Sequence, residues 1–234
     1  MTAAADEVHL WQFPLDLPPG AYLALLDPRE RARHEAQPNG TGRDRYAVAH
    51  GTKRLILGSC LGLPPERVPL RVGRWGKPEV GGSGIRFSLA HCGDQALIGV
   101  CGHREIGVDI ERPRSGLDPV RFAARWFRPE EAARVAEAGP ADRWDEFLRL
   151  WTRKEACVKA AGGRLAQSLN LPVGHGPHTV ADPSGRLPGP WWVDDVQGPE
   201  GCTAAVALAG TGPFRPVPRS WAPVTHGPGC DPPG

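Results

Sequence analysis

Apolar side chains recur every three or four positions in three stretches of the chain, which is the spacing of an amphipathic helix. The first stretch covers residues 43–61 and ends before Gly62. The second covers residues 121–138 and has Pro129 at the start of its second part. The third is the clearest and covers residues 141–162, with apolar positions at Trp144, Phe147, Leu148, Trp151 and Val158. The pattern therefore predicts helices in these stretches.

Shorter apolar runs bounded by Gly, Asp and Pro predict strands. Residues 85–90 and 95–101 flank residues 91–94, which predicts a hairpin with His91 in its turn. Residues 106–110 form a further run that Pro113 ends. Later runs of the same kind lie at residues 178–181, 190–196 and 202–208.

The order of helix, hairpin, strand, helices and strands favours an α+β fold with an antiparallel sheet, in two lobes that meet near Arg104. We therefore expect an N-terminal lobe of residues 1–104 and a C-terminal lobe of residues 105–210. Residues 211–234 are rich in Pro and Gly with little periodicity, which predicts a loose tail.

Composition and charge exclude several classes of protein. The formal net charge of +2 over 234 residues is too small to indicate a nucleic-acid-binding protein. No window approaches the roughly 18 apolar residues that span a bilayer, and residues 1–10 lack the basic start and apolar core of a signal peptide. We expect no nucleic-acid or membrane partner and a cytoplasmic location. The six cysteines form no Cys-x-x-Cys pair, which argues against a zinc site.

Two carboxylates, Asp109 and Glu111, flank Ile110 in the run Gly-Val-Asp-Ile-Glu. Residues two apart on a strand face the same way, so both carboxylates are presented together at the surface while Val108 and Ile110 enter the core. Mg²⁺ characteristically binds one or two carboxylates together with phosphate oxygens and water. The alternative is a solvated acidic face whose charges pair with nearby arginines (Arg112 or Arg114).

The clearest predicted helix carries Lys154, Glu155 and Lys159. Glu155 and Lys159 are four residues apart and share a face. They are either a surface ion pair or a third metal carboxylate with a cation for an anionic ligand. Lys154 is turned about 100° away from Glu155.

Two further cations are candidates for phosphate contacts. A protonated His91 in the hairpin turn is a compact phosphate ligand. Lys77, exposed between Gly76 and Pro78, is a candidate point-charge phosphate ligand. The alternative for both residues is an idle, solvated side chain.

The motifs follow one order along the chain: Gly76-Lys77-Pro78, then FSLAH at 87–91, GVDIE at 107–111, WFRPEE at 126–131 and WTRKEACVKAAGG at 151–163. In this order they resemble the 4′-phosphopantetheinyl transferases of the two-lobed, surfactin-type group. The resemblance spans roughly residues 43–208. It implies two similar, pseudo-symmetric lobes, each a small, mainly antiparallel sheet packed with helices.

By resemblance, Asp109, Glu111 and Glu155 bind Mg²⁺, which also holds the pyrophosphate of coenzyme A. The family transfers the 4′-phosphopantetheine arm to a serine of an apo acyl or peptidyl carrier protein and releases adenosine 3′,5′-bisphosphate. The catalytic residues would be Glu155, as the base for the serine proton directly or through a water, and Lys159.

The resemblance also implies a set of coenzyme A contacts. Lys77 and His91 would contact its phosphates, and Lys159 the pyrophosphate or pantetheine side. Lys154 would supply supporting charge, and Arg43 and Arg45 lie where the family contacts the nucleotide. A monomer is expected.

The chain departs from the family pattern at Ala90, where a serine is usual, and at His50, where an arginine is frequent. The first departure removes a hydroxyl contact to phosphate, and the second removes a permanent charge near the nucleotide. They motivate the alternative of a non-catalytic carrier-protein binder. A metal-dependent phosphohydrolase is a second alternative, although the sequence offers no second acidic cluster for a water-activating base.

Carrier proteins are generally acidic, so a basic surface at Arg121, Arg125 and Arg128 is a candidate docking face. Helix solubility is the alternative explanation of these arginines. The sequence does not indicate whether the carriers serve fatty-acid, polyketide or non-ribosomal peptide synthesis.

Overall fold

The computed structural model describes residues 6–73, 76–163 and 169–223. Contacts within the chain form two compact units. The first consists of Met1–Pro14 with Pro69–Arg219, and the second of Leu15–Val68 with Ser220–Gly234. The expected lobe boundary at residue 104 stays a prediction.

The second unit is helical, with α1 (Gly20–Leu23), α2 (Pro28–Glu35), α3 (Thr41–Leu61) and a short 3₁₀-helix (Pro65–Arg67). α2 begins at a capping box in which Asp27 and Glu30 each accept a hydrogen bond from the other's backbone N–H. α3 is the helix that the sequence predicts at residues 43–61. It ends at Gly62, whose φ of 67° is the left-handed conformation that glycine adopts most readily.

A buried ionic network joins α2 to α3. Glu30, only 7% exposed, accepts hydrogen bonds from Lys53 and, at 2.5 Å, from Nε of Arg54. Arg54 also bonds Asp27 and, at 3.0 Å, the carbonyl of Pro65. The network therefore links both helices to the 3₁₀-helix by charge-assisted hydrogen bonds.

The first unit contains every strand of the described residues: β1 (Glu7–Pro14), β2 (Leu70–Val72), β3 (Pro78–Val80), β4 (Ile85–Cys92), β5 (Gln95–Gly102), β6 (Ile106–Glu111), β7 (His178–Val180), β8 (Trp191–Val196), β9 (Thr203–Ala209) and β10 (Arg215–Arg219). One four-stranded sheet has the order β10-β1-β5-β4, and another has the order β6-β9-β8-β7. β2 and β3 form a separate two-stranded sheet. Every pairing is antiparallel except that of β1 with β10.

The tail is not loose throughout, contrary to the sequence prediction. Its residues Arg215–Arg219 form β10, which pairs in parallel with β1 at the edge of the sheet. Pro216 and Pro218 have no backbone N–H to donate. An edge strand tolerates prolines because it pairs with a neighbouring strand on one side only. Residues 224–234 lie outside the described residues.

Three helices cover one face of the second sheet: α4 (Pro119–Trp126), α5 (Pro129–Glu137) and α6 (Arg143–Ala161). The helix predicted at 121–138 is thus two helices, because Pro129 disfavours helical geometry at the residue before it. Arg128 accordingly has a ψ of 149°. α6 matches the clearest predicted helix and ends at Gly162, whose φ is 66°.

β6 alternates between two environments. Val108 and Ile110 lie with Leu10 and Leu97 in the core shared by the two sheets, which confirms the inward direction that the sequence predicts for them. Gly107 faces α6, where an added Cβ would lie 1.9 Å from the carbonyl oxygen of Ala156. Glycine therefore permits the close approach of strand and helix.

The structure confirms the α+β class and the small, mainly antiparallel sheets packed with helices. The five described cysteines are free thiols, and Cys230 lies outside the described residues. Within the described part of the chain, no helix is long and apolar enough to cross a membrane.

Candidate functional site

The facing surfaces of β6 and α6 bring Asp109 and Lys159 together. Nζ of Lys159 donates a hydrogen bond of 2.7 Å to Oδ1 of Asp109. The close packing of Gly107 on α6 makes this contact possible, because no side chain separates the strand from the helix. Lys159 therefore has an ionic partner on β6 as well as a position on the same helix face as Glu155.

Asp109 is buried, contrary to the surface position that the sequence predicts. It is 4% exposed, and its Oδ2 has no hydrogen-bond partner among the described residues. Burial raises the pKa of Asp109 to about 6, against the opposing attraction of Lys159. β6 continues through Asp109 to Glu111, and its pairing with β9 holds Asp109 in the interior.

Glu111 is the last residue of β6 and lies on the same side as Asp109. Nη2 of Arg114 bonds both of its carboxylate oxygens, at 2.6 and 2.7 Å, and the Cys92 thiol lies 3.7 Å from Oε2. Of the two arginines considered from the sequence, Arg114 pairs with Glu111, and Arg112 bonds Asp94 at 2.5 Å.

Glu155 lies on α6, one turn before Lys159, and is partly buried. Across the described residues, no group of three or more His, Cys, Asp or Glu side chains is close enough to hold a metal ion. Glu155 is thus not gathered with Asp109 and Glu111 into a ready three-carboxylate cluster.

The donor chemistry nevertheless suits Mg²⁺. The unpartnered Oδ2 of Asp109 is a buried anionic acceptor, which is costly unless a cation or a hydrogen-bond donor reaches it. Carboxylate oxygens are ligands that Mg²⁺ prefers. Asp109 therefore fits as a residue that would hold this ion, and the metal contacts of Glu111 and Glu155 stay predictions.

Lys77 is not exposed, contrary to expectation. Its side chain is 12% exposed, and Nζ donates to Oε2 of Glu105 at 2.7 Å and to the carbonyls of Ile106 and Ala160 at 3.1 Å each. Three acceptors match the three donors of an ammonium group. We therefore leave its predicted phosphate contact out of the proposed site.

Lys154 is fully buried, and its ammonium is directed into the protein. Nζ lies 2.7 Å from Oε2 of Glu131, donates to the carbonyl of Leu171 at 2.5 Å, and lies 5.1 Å from the centre of the Phe127 ring. The positive charge of Lys154 was predicted to support ligand binding. In the structure it compensates the negative charge of Glu131 instead.

His91 is exposed but lies on β4, because that strand continues to Cys92 and the turn consists of residues 93–94. Its predicted phosphate contact stays a prediction. Ala90 alternates with it and packs in the core between the sheets at 3% exposure. Side chains alternate along β4, so Ala90 lies on the opposite side of the strand from His91. Ala90 is the position at which the family usually has serine.

In the other unit, Arg45 forms two hydrogen bonds with Asp16, at 2.6 and 3.0 Å, and Arg43 donates to Asn39 at 2.5 Å. His50 stacks on Tyr46 with ring centres 4.0 Å apart, and its Nδ1 lies 2.9 Å from Nζ of Lys53. The nucleotide contacts of Arg43 and Arg45 stay predictions.

Sequence reasoning missed two residues that support the site. Oγ of Ser88 accepts a hydrogen bond of 3.1 Å from the backbone N–H of Val108, which ties β4 to β6. Glu105 bonds both Lys77 and Arg86, each through a different carboxylate oxygen. The signals available in the sequence were the place of Ser88 in the motif at 87–91 and the position of Glu105 immediately before the predicted strand.

The sequence that carries these carboxylates on β6 and this cation on α6 matches a family of phosphopantetheine-transferring enzymes. The model of the 4′-phosphopantetheinyl transferase superfamily matches residues 105–186. The 4′-phosphopantetheinyl transferase HetI of Nostoc sp. is 34% identical over 229 residues, which cover 94% of each chain. AcpT of Escherichia coli K12, also a 4′-phosphopantetheinyl transferase, is 32% identical over 58% of this chain and 67% of its own length.

The 4′-phosphopantetheinyl transferase of Bacillus subtilis is 29% identical over 53% of this chain and 61% of its own length. The chain belongs to the 4′-phosphopantetheinyl transferase superfamily. This confirms the family and the enzyme class that the motifs predicted.

Proposed function

We propose that this protein transfers the 4′-phosphopantetheine arm of coenzyme A to a serine hydroxyl of an apo acyl or peptidyl carrier protein. The observation that carries the proposal is the Asp109–Lys159 pair, in which a buried carboxylate keeps one unpartnered oxygen beside an ammonium group. A site with both charges suits a phosphate ligand that arrives with a divalent cation.

In the proposed reaction the serine oxygen bonds to the β-phosphorus of coenzyme A. The bond from that phosphorus to the bridging oxygen breaks, and adenosine 3′,5′-bisphosphate leaves with its electron pair. The serine proton passes to a base. Mg²⁺, when bound, would neutralise charge on the pyrophosphate and on the departing bisphosphate.

The residues of this chain divide the remaining tasks. Asp109, Glu111 and Glu155 would hold the ion, and Lys159 would attract the pyrophosphate. Glu155 would accept the serine proton, directly or through a water. The route through a water is favoured, because a carboxylate that binds a metal loses basicity. His91, exposed at the end of β4, would contact a coenzyme A phosphate.

The docking face that we propose for the carrier consists of Arg121 and Arg125 on α4. On α4 the Arg121 side chain is 90% exposed, and the Arg125 guanidinium lies 5.0 Å from the ring centre of Trp126, which is 44% exposed. Arg121 also lies 3.4 Å from Asp118, whereas Arg128 is only 30% exposed and bonds Glu130 at 2.5 Å. An exposed tryptophan beside arginines suits an acidic partner with an apolar patch.

The test is to incubate the protein with coenzyme A, Mg²⁺ and several apo acyl and peptidyl carriers and to weigh each carrier by mass spectrometry. A gain of one phosphopantetheine supports the proposal. Carrier binding without any mass gain would instead identify a non-catalytic carrier binder. Release of bisphosphate without carrier modification would identify a phosphohydrolase.

A further inference from the structure

Two elements that carry the proposed site meet at the side chain of Lys77. The residue lies in the segment between β2 and β3. Its ammonium bonds the carbonyl of Ile106, the first residue of β6, and the carbonyl of Ala160, in the last turn of α6. One cation thus joins the strand of Asp109 to the helix of Lys159.

The network continues to β4 through Glu105. One oxygen of this carboxylate accepts from Lys77 at 2.7 Å, and the other accepts from Nε of Arg86 at 2.6 Å. Arg86 is on β4, the strand that ends with His91 and Cys92. Lys77, Glu105 and Arg86 therefore link β4, β6 and α6 at the end of β6 opposite to Glu111.

The bond to Ala160 also suits the end of a helix. The last four carbonyls of a helix have no partner within it, and positive charge is favourable there. Ala160 is the residue before the end of α6, and Lys159 precedes it directly. The ammonium thus holds the helix end that carries Lys159.

Gly107 and Lys77 constrain different movements of α6 relative to β6. The absence of a side chain at Gly107 sets how closely the two backbones approach. Non-directional packing of small residues opposes sliding only weakly, whereas hydrogen bonds to carbonyls of both elements define their relative position. Sliding by one helical rise of about 1.5 Å would separate Lys159 from Asp109.

We propose that Lys77 is a positioning residue, which with Glu105 and Arg86 fixes α6 against β6 and so places Lys159 beside Asp109. This inference rests on the proposed function for its kinetic consequence. It assigns the ammonium of Lys77 to carbonyl and carboxylate acceptors of the protein, in place of a phosphate of coenzyme A.

The test compares Lys77→Met, Glu105→Gln and their combination with the wild-type protein. Misplacement of reacting groups lowers turnover, so kcat should fall about tenfold in Lys77→Met and by a smaller factor in Glu105→Gln, while KM for coenzyme A changes less than about twofold in both. The combined variant should be little worse than Lys77→Met alone, because both changes break one network. Glu79→Gln is the matched control, since exposed Glu79 lines the same cavity of about 320 Å³ as Lys77 and Glu105.

A second measurement does not depend on activity. Hydrogen exchange of the amides of β6 and of the last turn of α6 should become faster in Lys77→Met and remain unchanged in Glu79→Gln. If Lys77→Met does not fold, Glu105→Gln carries the test, because it leaves the two carbonyl bonds of Lys77 in place.

A tenfold rise in KM for coenzyme A with kcat retained in Lys77→Met, and no effect of Glu105→Gln, would overturn the inference and make Lys77 a phosphate ligand. A lower Tm with unchanged kcat would reduce its role to stability alone and would also overturn it. If the wild-type protein modifies no carrier, the proposed function fails. Hydrogen exchange then still decides whether Lys77 fixes α6 against β6.

Discussion

The ammonium of Lys159 lies 2.7 Å from a carboxylate oxygen of Asp109, fifty positions earlier in the chain. The Lys159 side chain is 32% exposed, whereas that of Asp109 is 6% exposed. A buried anion thus faces a cation that reaches solvent. A phosphate ligand can therefore approach Lys159 from the solvent side, and a metal ion would relieve the unpartnered oxygen of Asp109.

Asp109→Asn should abolish Mg²⁺-dependent turnover and yet stabilise the metal-free protein at neutral pH. The folded pKa of about 6, against 3.8 for a free aspartate, means that burial favours the protonated form. The stabilisation from that form is complete below about pH 4 and is lost as pH rises through about 6, a change of roughly 3 kcal/mol. The amide of the Asp109→Asn variant does not titrate, so its contribution to stability does not depend on pH.

Urea denaturation of both proteins without metal, at several pH values, checks this prediction. The difference in unfolding free energy should shift in favour of Asp109→Asn between about pH 4 and pH 6. Asp194→Asn, on β8 of the same sheet, is the control for activity and should keep it. A stability difference between wild type and Asp109→Asn that stays constant from about pH 4 to pH 6 would contradict the raised pKa of Asp109.

Lys159→Ala should weaken coenzyme A binding by about tenfold or more, since a charge-assisted hydrogen bond contributes about 1.5–3 kcal/mol. Carrier binding should change little. Isothermal titration calorimetry with coenzyme A, and separately with an apo carrier, measures both affinities. Weaker carrier binding with an unchanged affinity for coenzyme A would place Lys159 at the carrier interface.

Lys154→Met should lower stability by about 3–5 kcal/mol, because it leaves Glu131 buried without its cation. Glu131 is 1% exposed and also accepts a hydrogen bond of 3.0 Å from the N–H of Val173. Replacing both residues, as Lys154→Met with Glu131→Leu, should recover part of the loss. Urea denaturation measures each step, and a single variant as stable as wild type would contradict this role.

Glu30→Gln should be less stable than wild type at pH 7 by about 2 kcal/mol, with a smaller difference in acid. Burial alone would raise the pKa of Glu30, but hydrogen bonds from His50, Lys53 and Arg54 hold this pKa well below its usual value of 4.5. The ionised carboxylate therefore stabilises the fold above about pH 4.5, and this contribution is lost as pH falls below that value.

Thermal unfolding of wild type and Glu30→Gln between about pH 3 and pH 7 measures the difference. The two Tm values should approach each other as the pH falls. A constant separation would show that the Glu30 carboxylate keeps the same pKa in the folded and unfolded protein.

Arg121→Glu with Arg125→Glu should raise KM for an acidic carrier by about tenfold while kcat and KM for coenzyme A stay unchanged, because charge complementarity acts on encounter with the partner. Trp126→Ala should also raise KM for the acidic carrier. Arg128→Gln is the control, since Arg128 already bonds Glu130. Equal effects of all variants would place the docking face elsewhere.

Local patterns predicted several elements well. The helices α3 and α6 have strong apolar periodicity and glycine at their ends, so both their type and their C-terminal limits followed from residues close in sequence. β1 and β10 were missed because their pairing joins distant parts of the chain. Two prolines in β10 also resemble a loop when its position at a sheet edge is unknown.

In the candidate site, too, some features followed from local sequence and others depend on distant parts of the chain. Alternation on β6 correctly placed Asp109 and Glu111 on one side and Val108 on the other. Strand periodicity does not tell which side is covered, so the burial of Asp109 under α6 escaped prediction. Lys154 neighbours the predicted ligand Glu155, and Lys77 was itself a predicted phosphate ligand, but the partners of both lysines come from distant segments.

The sequence by itself determined the residue types, their order and the family to which the chain belongs. The tertiary structure decided which carboxylate each of three candidate lysines faces: Lys159 pairs with Asp109, Lys154 with Glu131, and Lys77 with Glu105. The physical reason is that burial and partner choice depend on the packing of α6 against β6. That packing is made by residues about fifty positions apart and leaves no local pattern in the chain.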